Sequence, residues 1–388
     1  MHILIIPSWY PLFKGDIGGS FFREQAIALK KSGHKVGVIY PQIRSILDIK
    51  GIFTKPFGHR AENDNGVETF RWYGINPFPK LPELSRKYWV SCGLRLFDLY
   101  VKKYGKPNII HVHSLLNAGY LAQLIYEKYD IPYVVTEHSS VFSRNLISED
   151  VIDSLKSVVA QAKECIAVSE IFSEYLEGKF PTSVWQYIPN IVNDIFFENG
   201  EEVFINQAEK MRIISICSLN KNKNTALLIK AFSQVLLQLE KDIIELVIGG
   251  DGEERHNLNI LVKELKLENN VKFLGALSRN QVKEEIKKSS LFVVSSKYET
   301  FGVVAIEALA LGKPVVATKC GGPESIVTSD VGILVENDSV SDLAKGILHV
   351  CTHLENYNAQ RLKNYCFNNF SEIKVIDKLN EIYIMHSS

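Results

Sequence analysis

Two glutamates eight residues apart, Glu299 and Glu307, have the type and spacing to hold a polyhydroxylated ligand. A carboxylate accepts hydrogen bonds from vicinal hydroxyls, so two of them can hold two sugars of one molecule. Both lie in Ser295-Ser296-Lys297-Tyr298-Glu299-Thr300-Phe301-Gly302-Val303-Val304-Ala305-Ile306-Glu307, between an apolar run, Leu291 to Val294, and a helical pattern that stops at Gly312. Spacing alone recurs by chance about once in a chain of this length, so the strand–turn–helix setting carries the weight. A helix starting at Phe301-Gly302-Val303 leaves backbone N–H groups bare, which suits a phosphate or a sugar oxygen. The competing reading is that acids simply favour the positive end of a helix.

Other candidates also follow strand-like runs. Lys221 and Lys223, in Ile216 to Asn224, are cations of the kind a diphosphate leaving group needs, or else solvated lysines of a polar loop. Gly249-Gly250-Asp251-Gly252 and Lys319 to Glu324 let a backbone approach a ligand, or merely turn. Gly15-Asp16-Ile17-Gly18-Gly19 precedes a helix and suits an anion, but it is not G-x-G-x-x-G. His138, in Thr136-Glu137-His138-Ser139, lies just past a strand end, where it can touch a sugar; His111 and His113 read as core or strand-end residues, and Asn190 as a structural turn.

The Glu299–Glu307 element with its Phe-Gly turn resembles the E-x7-E signature of the retaining glycosyltransferases of family 4 (group 1). These have the GT-B fold, α/β with two facing Rossmann-like domains, parallel sheets and a cleft between them. The resemblance implies that Glu299 meets the donor sugar hydroxyls and Glu307 the nucleotide ribose. It sets the N–H groups of Phe301, Gly302 and Val303 toward sugar and diphosphate, and Lys223 on the diphosphate. It places Gly250 beside the nucleotide, Gly18 and Gly19 near diphosphate or acceptor, and His138 at the donor sugar. Family members carry an arginine where this chain has Ser218, a departure that Lys221 offsets in charge but not as a bidentate fork.

The elements that must position these residues are legible as short apolar runs alternating with helical patterns, the mark of parallel sheets covered by helices. The first half has runs at Ile3 to Ile6, Val36 to Tyr40, Ile109 to Val112, Tyr133 to Thr136 and Ile166 to Val168. The second has Ile213 to Ile216, Leu246 to Ile248, Val271 to Leu274, Leu291 to Val294 and Val315 to Ala317. Helices are expected at Phe21 to Lys31, Thr225 to Leu239, Glu254 to Leu265, Arg279 to Lys288 and Phe301 to Leu311. Residues 1–200 form an acceptor-side domain and 205–369 a donor domain, with the linker in Pro189 to Ala208. The terminal helix 370–388, apolar at Ile373, Ile376, Leu379, Ile382 and Tyr383, crosses back to the first. Ile46 to Pro82, irregular and rich in Gly and Pro, reads as an excursion or hairpin.

Lys plus Arg equals Asp plus Glu at 44 each among 388 residues, so charge gives no reason to expect nucleic acid. No run of 18 apolar residues occurs, and the six scattered cysteines form no C-x-x-C pair, which fits a reducing cytoplasm. Between Arg71 and Lys106 eight cations face two acids among eight aromatics, a composition for peripheral contact with the inner face of a membrane or for an ordinary solvated helix.

The sequence therefore predicts a cytoplasmic, hexosyltransferase-type enzyme with a UDP- or GDP-sugar donor and a glycan or lipid-linked glycan acceptor, in polysaccharide or glycolipid biosynthesis. No Asp-x-Asp pair occurs, so metal-independent catalysis with no cofactor is expected. The alternatives are a non-catalytic sugar-nucleotide binder and another GT-B enzyme such as an epimerase. An NAD-dependent dehydrogenase lacks its fingerprint.

Overall fold

Runs rich in Ile and Val that are buried on both sides favour strands covered by helices on both faces. The computed structural model of the chain describes residues 1–13, 16, 18–48, 56–197, 210–239 and 243–387. They divide into two compact units, Met1–Val168 with Ser173–Ile188 and Val375–Ser388, and Pro189–Lys374 with Ser169–Phe172. Most of the expected linker, residues 198–208, lies outside the described residues, as do Gly15 and Ile17 of the glycine loop.

The first unit holds β1 (His2–Pro7), β2 (Lys35–Ser45), β3 (Gly58–Asp64), β4 (Val67–Asn76), β5 (Ile109–His113), β6 (Tyr133–Glu137), β7 (Glu164–Ala167) and β8 (Trp185–Tyr187). Their order is β3-β4-β2-β1-β5-β6-β7-β8. The expected excursion is a β3–β4 hairpin turning at Asn65-Gly66, both left-handed, the geometry that suits the twist of its strands. Only β3 is antiparallel; β4 runs parallel to β2 from Gly37 opposite Glu68 to Ser45 opposite Asn76. β3, sequence GHRAEND, is a charged and exposed edge, which discourages pairing with other chains.

The second unit holds β9 (Met211–Ile216), β10 (Ile244–Gly249), β11 (Val271–Gly275), β12 (Leu291–Val294), β13 (Val315–Thr318) and β14 (Gly332–Val335). All are parallel in the order β11-β10-β9-β12-β13-β14. Strand order reverses between β9 and β12, so the loops leaving these strands flank the crevice where open α/β sheets bind ligands. Its core joins Ile213, Leu246, Leu228, Phe232 and Ile347, all at 0% exposure.

In the last helix, Glu372–His386, the residues Val375, Ile376, Leu379, Ile382 and Tyr383 are buried, whereas Ile373 is 59% exposed. The apolar stripe therefore starts at Val375, two residues later than the spacing suggested. The Tyr383 hydroxyl bonds the buried His111 Nδ1 at 2.5 Å within the first unit.

The basic-aromatic stretch 71–106 has a buried face and an exposed one. Trp89, Phe97 and Tyr100 of the Pro82–Tyr104 helix are buried. Arg71 is buried too, paired with Glu62 at 2.7 Å and lying 5.2 Å from the Tyr10 ring centre. Arg71 is thus removed from any surface charge patch, whereas Lys80, Lys87, Arg95, Lys102, Lys103 and Lys106 remain exposed.

Candidate functional site

The loop after β9 and the loop after β12 come together in the second unit. Lys223 precedes the Thr225–Val235 helix, and its backbone N–H donates to Asn220. Ser295 Oγ donates to the Lys223 carbonyl at 3.0 Å, while Lys297 N donates to the Asn222 carbonyl at 2.7 Å. These bonds fix Lys223 Nζ at 2.6 Å from Glu299 Oε2, which also accepts from Ser296 Oγ at 3.1 Å. Burial opposes the Lys223 charge, but the Glu299 carboxylate outweighs it and holds the ammonium above the usual lysine pKa. Lys223, Glu299, Ser295, Ser296, Cys217 and Gly302 line one small recess.

Gly302 is the N-cap of the Val303–Ala310 helix, left-handed at φ 109°, and a Cβ there would make only ordinary contacts, the nearest 3.7 Å away at Glu299. Glycine is needed there for backbone conformation rather than for room. The helix begins two residues later than the pattern predicted. The Phe301 ring is buried against Phe370, so Phe301 can offer a ligand only its backbone.

Two further glycines, Gly321 and Gly322, clamp the carboxylate loop. Glu299 N donates to the Cys320 carbonyl at 2.9 Å, and Gly322 N donates to the Glu299 carbonyl at 2.7 Å. Glu324 accepts from the N–H groups of Cys320 and Gly321, so those donors already have partners. A Cβ on Gly322 would fall 2.2 Å from the Phe301 carbonyl oxygen. The sequence left open whether this turn approaches a ligand or merely turns; its packing makes it a positioning element.

Gly250 has a comparable explanation. A Cβ there would meet the Cys217 carbonyl oxygen at 1.8 Å, so glycine is required by the contact between two loops of the protein itself. Ser218 is exposed on the loop after β9, as is Lys221.

Glu307, just over one turn into its helix, is 0% exposed. Its Oε1 accepts from Arg279 Nη1 at 2.5 Å, and Oε2 has no hydrogen-bond partner among the described residues. Burial pushes its pKa up against the pull of Arg279. Arg279 escaped the sequence reading; a basic residue opening a helix carries no signal until the partner is known.

In the first unit, Gly18 N donates to Asp16 Oδ1 at 3.0 Å, and Leu12 N to the other carboxylate oxygen. Asp16 thus occupies a donor that the sequence offered to an anion. Gly19, at φ 75°, caps the Ser20–Lys31 helix. His138 is 6% exposed, bonded to His113 Nδ1 at 3.0 Å and packed on the rings of Phe21 and Phe22. Burial lowers the pKa of His111 to about 3 and that of His113 far below the ordinary value, so both are neutral imidazoles.

Glu137 anchors the His138 loop. Fully buried, it accepts from Leu115 N at 2.7 Å on Oε2 and from His138 N and Ser139 N on Oε1. Glu137→Gln turns an amide N–H toward the Leu115 N–H. We expect a loss of about 1–3 kcal/mol for that unsatisfied buried donor, read from urea unfolding; an unchanged midpoint would refute the anchoring role.

Family models match nearly the whole chain: Glycosyltransferase Family 4 over residues 18–195 and Glycosyl transferases group 1 over residues 198–365. The chain is 30% identical over 280 residues, 70% of its length and 72% of the relative's, to the N-acetylgalactosamine-N,N'-diacetylbacillosaminyl-diphospho-undecaprenol 4-alpha-N-acetylgalactosaminyltransferase of Campylobacter jejuni. The chain belongs to glycosyltransferase family 4. It is 26% identical over 367 residues, 89% of the chain and 88% of the relative, to the putative teichuronic acid biosynthesis glycosyltransferase TuaC of Bacillus subtilis. HepE of Anabaena, solved with UDP and glucose, superposes with a TM-score of 0.71 at 20% identity, over 99% of this chain and all of that one. The fold is GT-B, with two Rossmann-like parallel-sheet domains, and this family 4 chain is a glycosyltransferase enzyme. Among the described residues no helix is long and apolar enough to cross a membrane.

Proposed function

We propose that the chain transfers a hexose-type sugar from a nucleoside diphosphate donor, UDP before GDP, to a hydroxyl of a glycan or lipid-linked glycan, with retention at the anomeric carbon and without a divalent metal. The observation that carries this reading is the Lys223–Glu299 pair at the switch point of the second sheet, beside the N-terminus of the Gly302-capped helix. Each group occupies the other in the free chain. A donor separates them: its diphosphate takes the ammonium and the helix N–H groups, and its sugar hydroxyls take the carboxylate. The acceptor oxygen bonds to the anomeric carbon as that carbon's bond to the diphosphate oxygen breaks. The departing diphosphate gains charge and accepts the acceptor's proton, while Lys223 neutralises it. Lys223 and the helix terminus supply the positive charge that a metal provides elsewhere, which supports metal independence. UDP is favoured by analogy with the nucleotide in the HepE structure.

A role in polysaccharide or glycolipid assembly agrees with the names of the relatives, and the reading includes action on the cytoplasmic side near a membrane. The reading also includes His138, whose replacement by Asn should lower turnover more than stability. With an α-linked UDP-sugar, proton NMR of early product should show the α anomer, and EDTA should leave the rate unchanged. A β product would overturn retention, and loss of activity restored by a divalent ion would overturn metal independence.

A further inference from the structure

Arg279 and Glu307 form a second cation–carboxylate pair in the donor unit, apart from Lys223 and Glu299. Arg279 opens the Arg279–Lys287 helix, and its guanidinium lies 5.0 Å from the ring centre of Phe196. The pair is asymmetric, with the Arg279 side chain 26% exposed and Glu307 fully buried. A buried carboxylate oxygen with no protein partner, Oε2, is costly unless a ligand satisfies it. The bond from Arg279 Nη1 engages Oε1 alone and leaves Oε2 for a ligand.

We propose that Arg279 is the positioning residue for Glu307: laid on Phe196 and bonded to Oε1, it leaves Oε2 as the oxygen that the ribose diol of the nucleotide meets. This rests on the reading that Glu307 holds the ribose. Because the guanidinium is the exposed member, a ligand reaches Glu307 along the Arg279 side. The titratable groups packed against Glu307 are few among the described residues. Arg279 comes from its own helix; the Cys366 thiol comes from the Ala359–Phe370 helix and donates to the Ile306 carbonyl at 3.1 Å. Burial and then Glu307 push the Cys366 pKa up, so the thiol stays neutral. Arg279 is therefore the cation that opposes protonation of Glu307, and without it burial drives the carboxyl toward its neutral form.

The test is calorimetric titration of the full chain with UDP, GDP, ADP and CDP, and with the 2′,3′-dideoxy form of the tightest binder, across pH 6 to about 8.5. Wild type should bind with an affinity flat in pH and lose roughly tenfold or more on the dideoxy nucleotide. Glu307→Ala should bind both forms equally and weakly. Arg279→Gln should lose roughly tenfold near pH 6 and recover as pH rises, because higher pH restores the carboxylate. Arg279→Lys, which keeps the charge, should restore the flat profile; a merely structural arginine would weaken binding equally at all pH values. If Glu307→Ala still discriminates the dideoxy form, or wild type binds none of the four, the ribose reading falls. If Glu307→Ala behaves as expected while Arg279→Gln keeps wild-type affinity and a flat profile, the ribose reading stands and the role of Arg279 is overturned.

Discussion

Replacing Lys223 by Met should lower kcat by roughly 10²–10³-fold, the range seen when one preorganised group facing developing charge is removed. Before any ligand arrives, the Lys223 backbone is held by its N–H donating to Asn220 and its carbonyl accepting from Ser295, and the ammonium by Glu299. The ammonium charge needs no reorganisation as the diphosphate departs. Burial disfavours that charge and Glu299 more than restores it, so Lys223 stays protonated beyond the ordinary lysine pKa. An alkaline decline in rate below that point must therefore come from another group. The substitution also unpairs Glu299, whose side chain is 18% exposed. The stability cost lies between exposed and buried pairs, about 1–3 kcal/mol. Adding Glu299→Gln should return part of that stability but none of the activity. Steady-state rates with saturating donor, set beside urea unfolding of both variants, separate the two effects. An unchanged kcat in Lys223→Met would remove Lys223 from the reaction.

Gly322→Ala should do comparable damage without replacing any side chain proposed to meet the donor. The new methyl would lie 2.2–2.3 Å from the backbone O, Cα and N of Phe301, atoms that no rotamer change can move. The chain must give way, weakening the bonds that Gly322 N and Cys320 O make with Glu299. Overpacking of this kind costs about 1–3 kcal/mol, and displacing a catalytic group by about 1 Å can cost ~10²-fold in rate. Gly178→Ala is the control. Nothing lies within 4 Å of its Cβ position, and it sits in the Glu170–Lys179 helix. There the change should leave activity intact and add about 0.5–1 kcal/mol. Equal melting temperatures and rates for Gly322→Ala and wild type would show that the glycine turn does not hold the carboxylate loop.

The residues themselves determined the alternating elements, the strand–turn–helix around Glu299 and Glu307, and the family. That information is local: apolar runs, a Phe-Gly turn and a fixed spacing lie within a few residues of one another. Two strands, β8 and β14, were not among the runs expected from sequence. β8 has three residues and no continuous apolar run, whereas β14, Gly332–Val335, has its run in Ile333 to Val335 but is only half buried. The placing of β4 beside β2, the burial of Arg71 and the start of the last helix's stripe at Val375 depend on partners far along the chain.

The same division runs through the site. Sequence marked both glutamates and Lys223, but only the folded chain set Lys223 on Glu299 across 76 residues and gave Glu307 the unannounced Arg279. It also showed why Gly250 and Gly322 must be glycine: each touches the backbone of another loop rather than leaving room for a ligand. Residue type states which chemistry a side chain can perform. Which charge neutralises it, and which backbone holds it still, are long-range pairings fixed when the sheet orders its strands.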